Sequence, residues 1–239
     1  MDRLIIEPMG KDLLIWRCLH GGPLSAENID APAPHPEVDW TWARARNVPL
    51  LKKLAETYGS SAIVARNGNA IVATLRFYPR ALCEFSAEGG AAFCLQQPYP
   101  AGPADDRAAG RFPRLQKLPD KTLFVHCMLI VSPPDEPDRY RRQGLATRMA
   151  QELIRWARER GWAAIEANAY EDIPYLYAIA GVAGKSFWDK LGFRVAISDQ
   201  EPAMTGPLLE DVRRSALAAG IPDEKVTNRY RMRLELAGD

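Results

Sequence analysis

Three adjoining stretches constrain this chain more than any others. Leu123 to Val131 (LFVHCMLIV) is almost wholly apolar, Arg141 to Ala146 reads RRQGLA, and Leu145 to Arg160 runs on to Gly161. At 100° per residue, Leu145, Ala146, Met149, Ala150, Leu153, Ile154, Trp156 and Ala157 share one half of a helical wheel. Arg148, Gln151, Glu152, Arg155, Arg158 and Glu159 occupy the other half. Arg160 alone falls on the apolar side, next to Gly161, which can take the left-handed conformation that ends a helix. The pattern predicts a buried strand, a loop carrying a glycine, and an amphipathic helix packed on a sheet. Such a helix N-terminus is an anion site, because its first-turn N–H groups lack intrahelical acceptors and the dipole favours negative charge there.

The flanking chain supports a sheet on both sides of this unit. Ser61 to Tyr78 is a hairpin signal, two β-branched runs around Asn67-Gly68, and Pro79 should end its second strand. Trp162 to Tyr170 reads as a strand that completes a βαβ unit with 123–131, the two being parallel neighbours or nearly so. Asn228 to Leu236 alternates Tyr230, Met232, Leu234 and Leu236 against Arg229, Arg231, Arg233 and Glu235, as a half-buried antiparallel strand does. Arg3–Glu7 and Phe193–Ile197 suggest short strands. Helices are expected at Lys11–Leu19, at about Trp40–Tyr58 with a break or fresh start at Pro49, at Lys185–Leu191, and at Leu208–Ala219. Ala31–Pro36 reads as an irregular loop, Ala91–Leu95 as a possible strand, and Pro98–Pro119 as a surface excursion, a possible flap.

Composition excludes several classes. A net charge of +1 argues against nucleic acid or an anionic membrane as the main partner. The longest apolar run is far short of a bilayer span, and the N-terminus lacks a secretory core. Cys18, Cys83, Cys94 and Cys127 show neither CxxC nor Cys/His spacing, so buried thiols, no metal and a cytoplasmic location are expected. No G-x-G-x-x-G follows a strand, which disfavours a dinucleotide enzyme.

Arg141-x-x-Gly144-x-Ala146 after a buried strand, followed by Phe187-Trp188-x-Lys190-Leu191-Gly192-Phe193, resembles the GNAT superfamily of N-acetyltransferases. The resemblance is good from about Thr122 to Val195, fair over Ser61–Tyr78, and weak elsewhere. It implies an α/β (α+β) fold: a GNAT-like mixed, mostly antiparallel central sheet with a splayed central strand pair, flanked by helices. It implies one domain over residues 1–239, with insertions at about 80–120 and 198–227. It also implies transfer of an acetyl group from acetyl-CoA to a primary amine of a small molecule or peptide, by direct attack. A homodimer is common in such proteins. A non-catalytic acyl-CoA-binding or sensing module of the same fold is the alternative.

On that resemblance, the amides of Arg142, Gln143, Gly144, Leu145, Ala146 and Thr147 cradle the coenzyme pyrophosphate. Gly144 permits close backbone approach, Thr147 can add its hydroxyl, and Arg141 and Arg142 add field. The pantetheine arm would pair with backbone at Ile130 and Val131, and Trp188 would line the donor site. Many members carry a tyrosine acid where Trp188 stands, and an indole cannot be that acid. Tyr175 and Tyr177 are then the candidate acids, with Tyr170 and Cys127 behind them. Glu166 is the candidate base, against an ordinary strand glutamate, and Asn168 shares its face. His126, His20, Glu171 and Asp172 are further positions where a proton or an ammonium group could be handled.

Overall fold

The apolar run before the glycine loop forms the middle strand of a seven-stranded sheet. The computed structural model describes residues 4–236 apart from 13, 20, 32–39, 82–120, 134, 137–138, 141 and 203. The strands are β1 (Ile5–Pro8), β2 (Ala62–Asn67), β3 (Ala70–Pro79), β4 (Thr122–Ile130), β5 (Ala164–Ala169), β6 (Arg194–Gln200) and β7 (Asn228–Glu235). Their order is β1-β2-β3-β4-β5-β7-β6. Only β4 and β5 pair in parallel; every other neighbouring pair is antiparallel. The fold is thus mixed α/β, with a mostly antiparallel sheet flanked by helices, as the sequence predicts.

The helices among the described residues are α1 (Trp40–Tyr58), α2 (Leu145–Glu159), α3 (Pro174–Ala180), α4 (Lys185–Lys190) and α5 (Gly206–Ala218). On α2, the side chains of Leu145, Met149, Ala150, Leu153, Trp156 and Ala157 are buried, and they pack with Leu75, Phe77, Leu123, Val125, Ile165, Ala167 and Met232 on one face of the sheet. Gly161, at φ 69, closes α2 by the paired bonds Trp162 N–H to Ala157 O (3.0 Å) and Gly161 N–H to Arg158 O (3.0 Å). Leu50, Leu51 and Leu54 of α1 cover the opposite face, against Val64, Ile71 and Tyr78, with Leu129 and Val131 packed alongside. A third apolar cluster joins Ile173 and Leu176 at α3 to Val212 and Ala216 of α5.

The structure departs from the sequence reading in three places. The described residues of 11–19 are not helical. Their apolar spacing matches a helix, but Ile15, Trp16, Arg17, Cys18 and Leu19 are all buried, so there is no wet side. The carbonyls of Ile15 and Arg17 accept from Arg76 Nη2, and that of Trp16 from Asn47 Nδ2, in place of helical N–H groups. Helix α1 runs straight through Pro49. The hairpin loop is Gly68-Asn69, one residue beyond the expected pair, because Asn67 still pairs with Ala70 and Gly68 takes the positive φ of 57°. The possible strand at 91–95, the excursion at 98–119 and most of the loop at 31–36 lie outside the described residues.

Candidate functional site

Two strands part in the middle of this sheet. β4 and β5 are paired from Thr122↔Ala164 to Val125↔Ala167 and no further. On its other edge β4 stays paired with β3 as far as Ala73↔Ile130. The cause lies in the β3–β4 register, which goes from Phe77↔Val125 to Arg76↔Cys127. His126 is therefore the extra residue of a bulge, which bends its strand and breaks the ladder locally. Beyond the bulge, Met128 and Ile130 pack with the α2 core, and Leu129 and Val131 with the α1 core.

On the side facing β5, β4 has no strand partner beyond Val125 among the described residues. Val131 N–H bonds back to Val72 O on β3 (2.9 Å), whereas Met128 N–H points into the opening. By strand alternation, Ile130 N–H lies on the same edge as Met128. Of the two positions expected to meet the donor arm, Ile130 thus presents its amide to the opening and Val131 to β3. The Met128 amide is already engaged: it donates to Gly181 O at 2.7 Å. Gly181, at φ 60, lies flat against the strand, and a Cβ there would stand 3.4 Å from Met128 O. The α3–α4 connection thus reaches into the opening.

At the far end of β4 the chain turns into the α2 N-terminus. Tyr140, 5% exposed, pins this turn by packing in the α2 core and accepting from Asn67 Nδ2 of the hairpin (2.9 Å). Arg142 has φ 57 and is the one non-glycine with positive φ among the described residues; Gly144, at φ 69 and ψ 14, caps the helix. Left-handed residues at such turns are the kind of backbone from which anion-binding concavities are built. Gly144 offers no side-chain cap, the first turn holds no acid, and nothing stands within 4 Å of a Cβ built on Gly144. The first-turn amides of Leu145, Ala146 and Thr147 have no intrahelical acceptor, and exposed Arg142 and Arg148 lie on either side of them in the chain. Gln143 is exposed, its Nε2 donating to Arg139 O. Arg141 lies outside the described residues.

The proton-handling candidates are spread more widely. Glu166, 3% exposed, lies on the sheet face opposite α2, across from Phe124 and Arg233. Its carboxylate meets Arg233 Nη1 at 2.7 Å, Arg231 Nη1 at 3.4 Å and Arg80 Nη1 at 3.6 Å. Asn168 accepts from Arg231 Nε at 3.1 Å. Tyr175 donates to Asp211 on α5 (3.1 Å), a bond that raises its pKa. Tyr177 is 41% exposed and donates to Asp172 (2.6 Å); partial burial first, and then this bond, raise its pKa. Gly184 leaves room for this pair, since a Cβ there would meet both Asp172 Oδ1 and Tyr177 Oη and the two side chains would have to move apart. Burial and the bond to Glu201 (2.7 Å) likewise raise Tyr170. Glu171 accepts from Tyr230 Oη (2.7 Å). The His126 ring stands 5.9 Å from that of Tyr78, and Cys127 is half-buried at the bulge. His20 lies outside the described residues.

Trp188 is 2% exposed and packed against Phe193 (4.8 Å between centroids) and Phe187 in the α2 core. Its Nε1 has no hydrogen-bond partner among the described residues. The arginines about Glu166 and the Gly181 carbonyl at Met128 were not expected from the sequence. The alternation Arg229, Arg231, Arg233 was visible, but that β7 lies against β5 was not. Among the described residues, no group of three His, Cys, Asp or Glu could hold a metal, and no helix is long and apolar enough to cross a membrane.

Comparison with known proteins gives the site its context. Residues 119–176, which span β4, the turn, α2, β5 and the start of α3, match the model of the Acetyltransferase (GNAT) family. Among solved structures, a putative acetyltransferase from Salmonella typhimurium with its cofactor acetyl-CoA aligns at 12% identity and TM-score 0.47, over 99% of this chain and 95% of that one. A polyamine N-acetyltransferase of Drosophila melanogaster aligns at 12% and 0.47, over 98% and 100%. A GNAT-family acetyltransferase from Streptococcus pneumoniae aligns at 13% and 0.46, over 98% and 100%. Likenesses this distant do not carry the assignment. No curated protein matches the chain. What the comparisons show is thus a similarity confined to residues 119–176, where the parted strands and the helix N-terminus lie: this segment matches the model of the GNAT acetyltransferase family.

Proposed function

We propose that this chain is an N-acetyltransferase that moves the acetyl group of acetyl-CoA to a primary amine of a small molecule or peptide by direct attack. One observation carries the reading. The family-matching segment holds both a helix N-terminus with no side-chain cap and no acid in its first turn and the strand pair whose ladder stops at Val125↔Ala167. A pyrophosphate fits the first, because open backbone N–H groups and the helix dipole favour it. A flat amide-bearing arm fits the second, since the Ile130 edge can pair with it as a strand would.

In this reading the amides of Arg142 to Thr147 hold the pyrophosphate and the β4 edge aligns the thioester. The amine attacks the thioester carbonyl, the C–S bond breaks, and the coenzyme thiolate takes up a proton. Thiolate is a fair leaving group, with an ordinary thiol pKa of about 8.5, so this step makes modest demands on an acid. Glu166, committed to three guanidinium groups, orders the arginines around it, and the substrate's proton leaves to water or through His126 at the bulge. We place the reaction in one cytoplasmic domain.

A second reading has specific support. The engaged Glu166, the core-packed Trp188 and the Gly181 carbonyl at Met128 would also suit a module that binds acyl-CoA without turning it over. Thermal shift with acetyl-CoA, beside release of free CoA across a panel of amines, separates the two. Turnover on any primary amine supports the enzyme. Binding without turnover on the whole panel leaves the binding module, and no binding sinks both.

A further inference from the structure

We propose that the outer edge of β6 is a self-complementary interface, on which a second copy of this chain adds its own β6 antiparallel and joins the two sheets. The proposal goes beyond the acetyltransferase reading and does not rest on it.

The sheet ends in β1 on one side and β6 on the other. An outer strand presents a row of N–H and C=O groups that another strand can pair with, and chains blunt such edges with short strands, prolines or charge. β1 has four residues and ends at Pro8. β6 has seven, Arg194–Gln200, with no proline and every residue exposed. Val195 (42% exposed) and Ile197 (56%) are β-branched side chains of the kind that pack across paired strands. Among the described residues, the β6 backbone pairs with β7 alone.

The residues along this edge match a reversed copy of themselves. Arg194, Val195, Ile197, Ser198 and Asp199 face Arg233, Met232, Arg231, Tyr230 and Arg229 of β7 in turn, and Ala196 is the extra residue of a bulge. Facing residues in an antiparallel pair both turn their N–H and C=O groups toward each other or both turn them away. A two-fold pairing of identical strands therefore sets one residue opposite its own copy. With Ile197 at that point, Ile197 meets Ile197, Val195 meets Ser198, and Arg194 meets Asp199 on both sides of the axis. Arg194, Ile197 and Asp199 share the sheet face of Arg229, Arg231 and Arg233, so the matched side chains lie on the same side. Moving the axis one rung either way sets Ile197 against Asp199 or Arg194 instead.

The charged pair has room to form. Arg194 donates through Nη1 to Phe193 O (3.1 Å) and makes no ion pair among the described residues. Arg229 holds both oxygens of Asp199, at 2.9 and 2.7 Å, yet the Asp199 side chain is 46% exposed. A carboxylate has about four lone-pair sites, so a second guanidinium can share it. The bulge keeps the ladder short, and one strand pair buries less than the roughly 1,600 Å² of a standard interface, so the dimer is weak and reversible.

Sedimentation velocity of the full chain, from micromolar to millimolar concentration, tests this. A reversible dimer that weakens with salt is expected. Ile197→Asp sets two carboxylates face to face at the axis and should leave a monomer. Arg194→Glu and Asp199→Lys should each raise Kd by at least about 2- to 30-fold, the worth of two cross-strand ion pairs. Mixed in equal amounts, these two variants should regain the wild-type Kd, because each supplies the charge that the other lacks. Thermal unfolding checks that each variant is folded. Arg194→Glu gives up only a bond to the Phe193 carbonyl, so its effect is readable whether or not Asp199→Lys folds. A chain that stays monomeric throughout, including one whose β6 edge takes a peptide strand instead, would overturn the proposal. So would a dimer that Ile197→Asp or Arg194→Glu leaves intact, or folded variants that do not recover on mixing. Acetyl-CoA binding is read separately, so failure of the acetyltransferase reading leaves this result standing.

Discussion

Replacing Gly144 tests the phosphate cradle by separating backbone strain from charge. Gly144 sits at φ 69 and ψ 14, so any L-residue there adopts a left-handed conformation, at about 1–2 kcal/mol. No atom lies within 4 Å of the new Cβ, so sterics add nothing. Gly144→Ala, Gly144→Gln and Gly144→Glu should all fold, each losing roughly 2–8 °C in Tm for a chain of this size. Their donor binding should differ sharply. A carboxylate about 5 Å from a pyrophosphate charge, at an effective dielectric near 20, repels it by about 3 kcal/mol, or roughly 200-fold in Kd. Exposure and salt reduce this, so about 100-fold at low ionic strength is the expected loss for Gly144→Glu relative to Gly144→Gln. Gly144→Ala should lose at most about tenfold, since its methyl offers no charge. Isothermal titration with acetyl-CoA at two salt concentrations reads all three. If folded Gly144→Glu binds within about threefold of Gly144→Gln, the pyrophosphate does not lie at this helix.

Four further outcomes follow from the same structure. Gly184→Ala should cost at most about 1 kcal/mol in urea unfolding, because its Cβ parts the exposed Tyr177–Asp172 hydrogen bond, and the cost should vanish in an Asp172→Ala, Tyr177→Leu background. Trp188→Tyr should lose about 2–4 kcal/mol, and more than Trp188→Phe, since the smaller ring leaves space beside Phe193 and carries a hydroxyl into an apolar core. The raised pKa of Tyr170 contributes stability that is complete below the ordinary tyrosine value of about 10 and is lost as pH climbs through the higher folded value. Tyr170→Phe should therefore be less stable than wild type at pH 8, and the gap should narrow by pH 11–12, measured by urea unfolding. In hydrogen exchange, the Met128 amide should be protected without ligand, and acetyl-CoA should deprotect residues 178–184 if the donor arm displaces Gly181; unchanged exchange there would mean that the arm passes beyond it.

Much of the fold could be read from local pattern, because its strongest elements obey a single period. Helix α2 shows 3.6-residue spacing from Leu145 to Ala157 and a glycine stop, and the buried set in the structure follows it. β7 shows period two. Residues 11–19 misled for a physical reason: helical apolar spacing is indistinguishable from burial on all sides unless the partners of the backbone carbonyls are known, and those partners, Arg76 and Asn47, lie 31 to 61 positions away. Proton-handling residues were the least legible, since Glu166 reads as a lone strand acid and only pairing with β7 surrounds it with arginines.

The sequence by itself determined the unit on which the proposed anion cradle rests: a buried strand, a glycine at the turn and an amphipathic helix are local facts, and the N–H groups and dipole of a helix N-terminus favour anions whatever lies farther off. Tertiary structure alone decided what surrounds it. The bulge at His126 parts β4 from β5, the α3–α4 connection brings Gly181 to Met128, and β7 sets Arg231 beside the opening. Each depends on which strands are neighbours and in what register, and that is settled by packing between segments far apart in the chain.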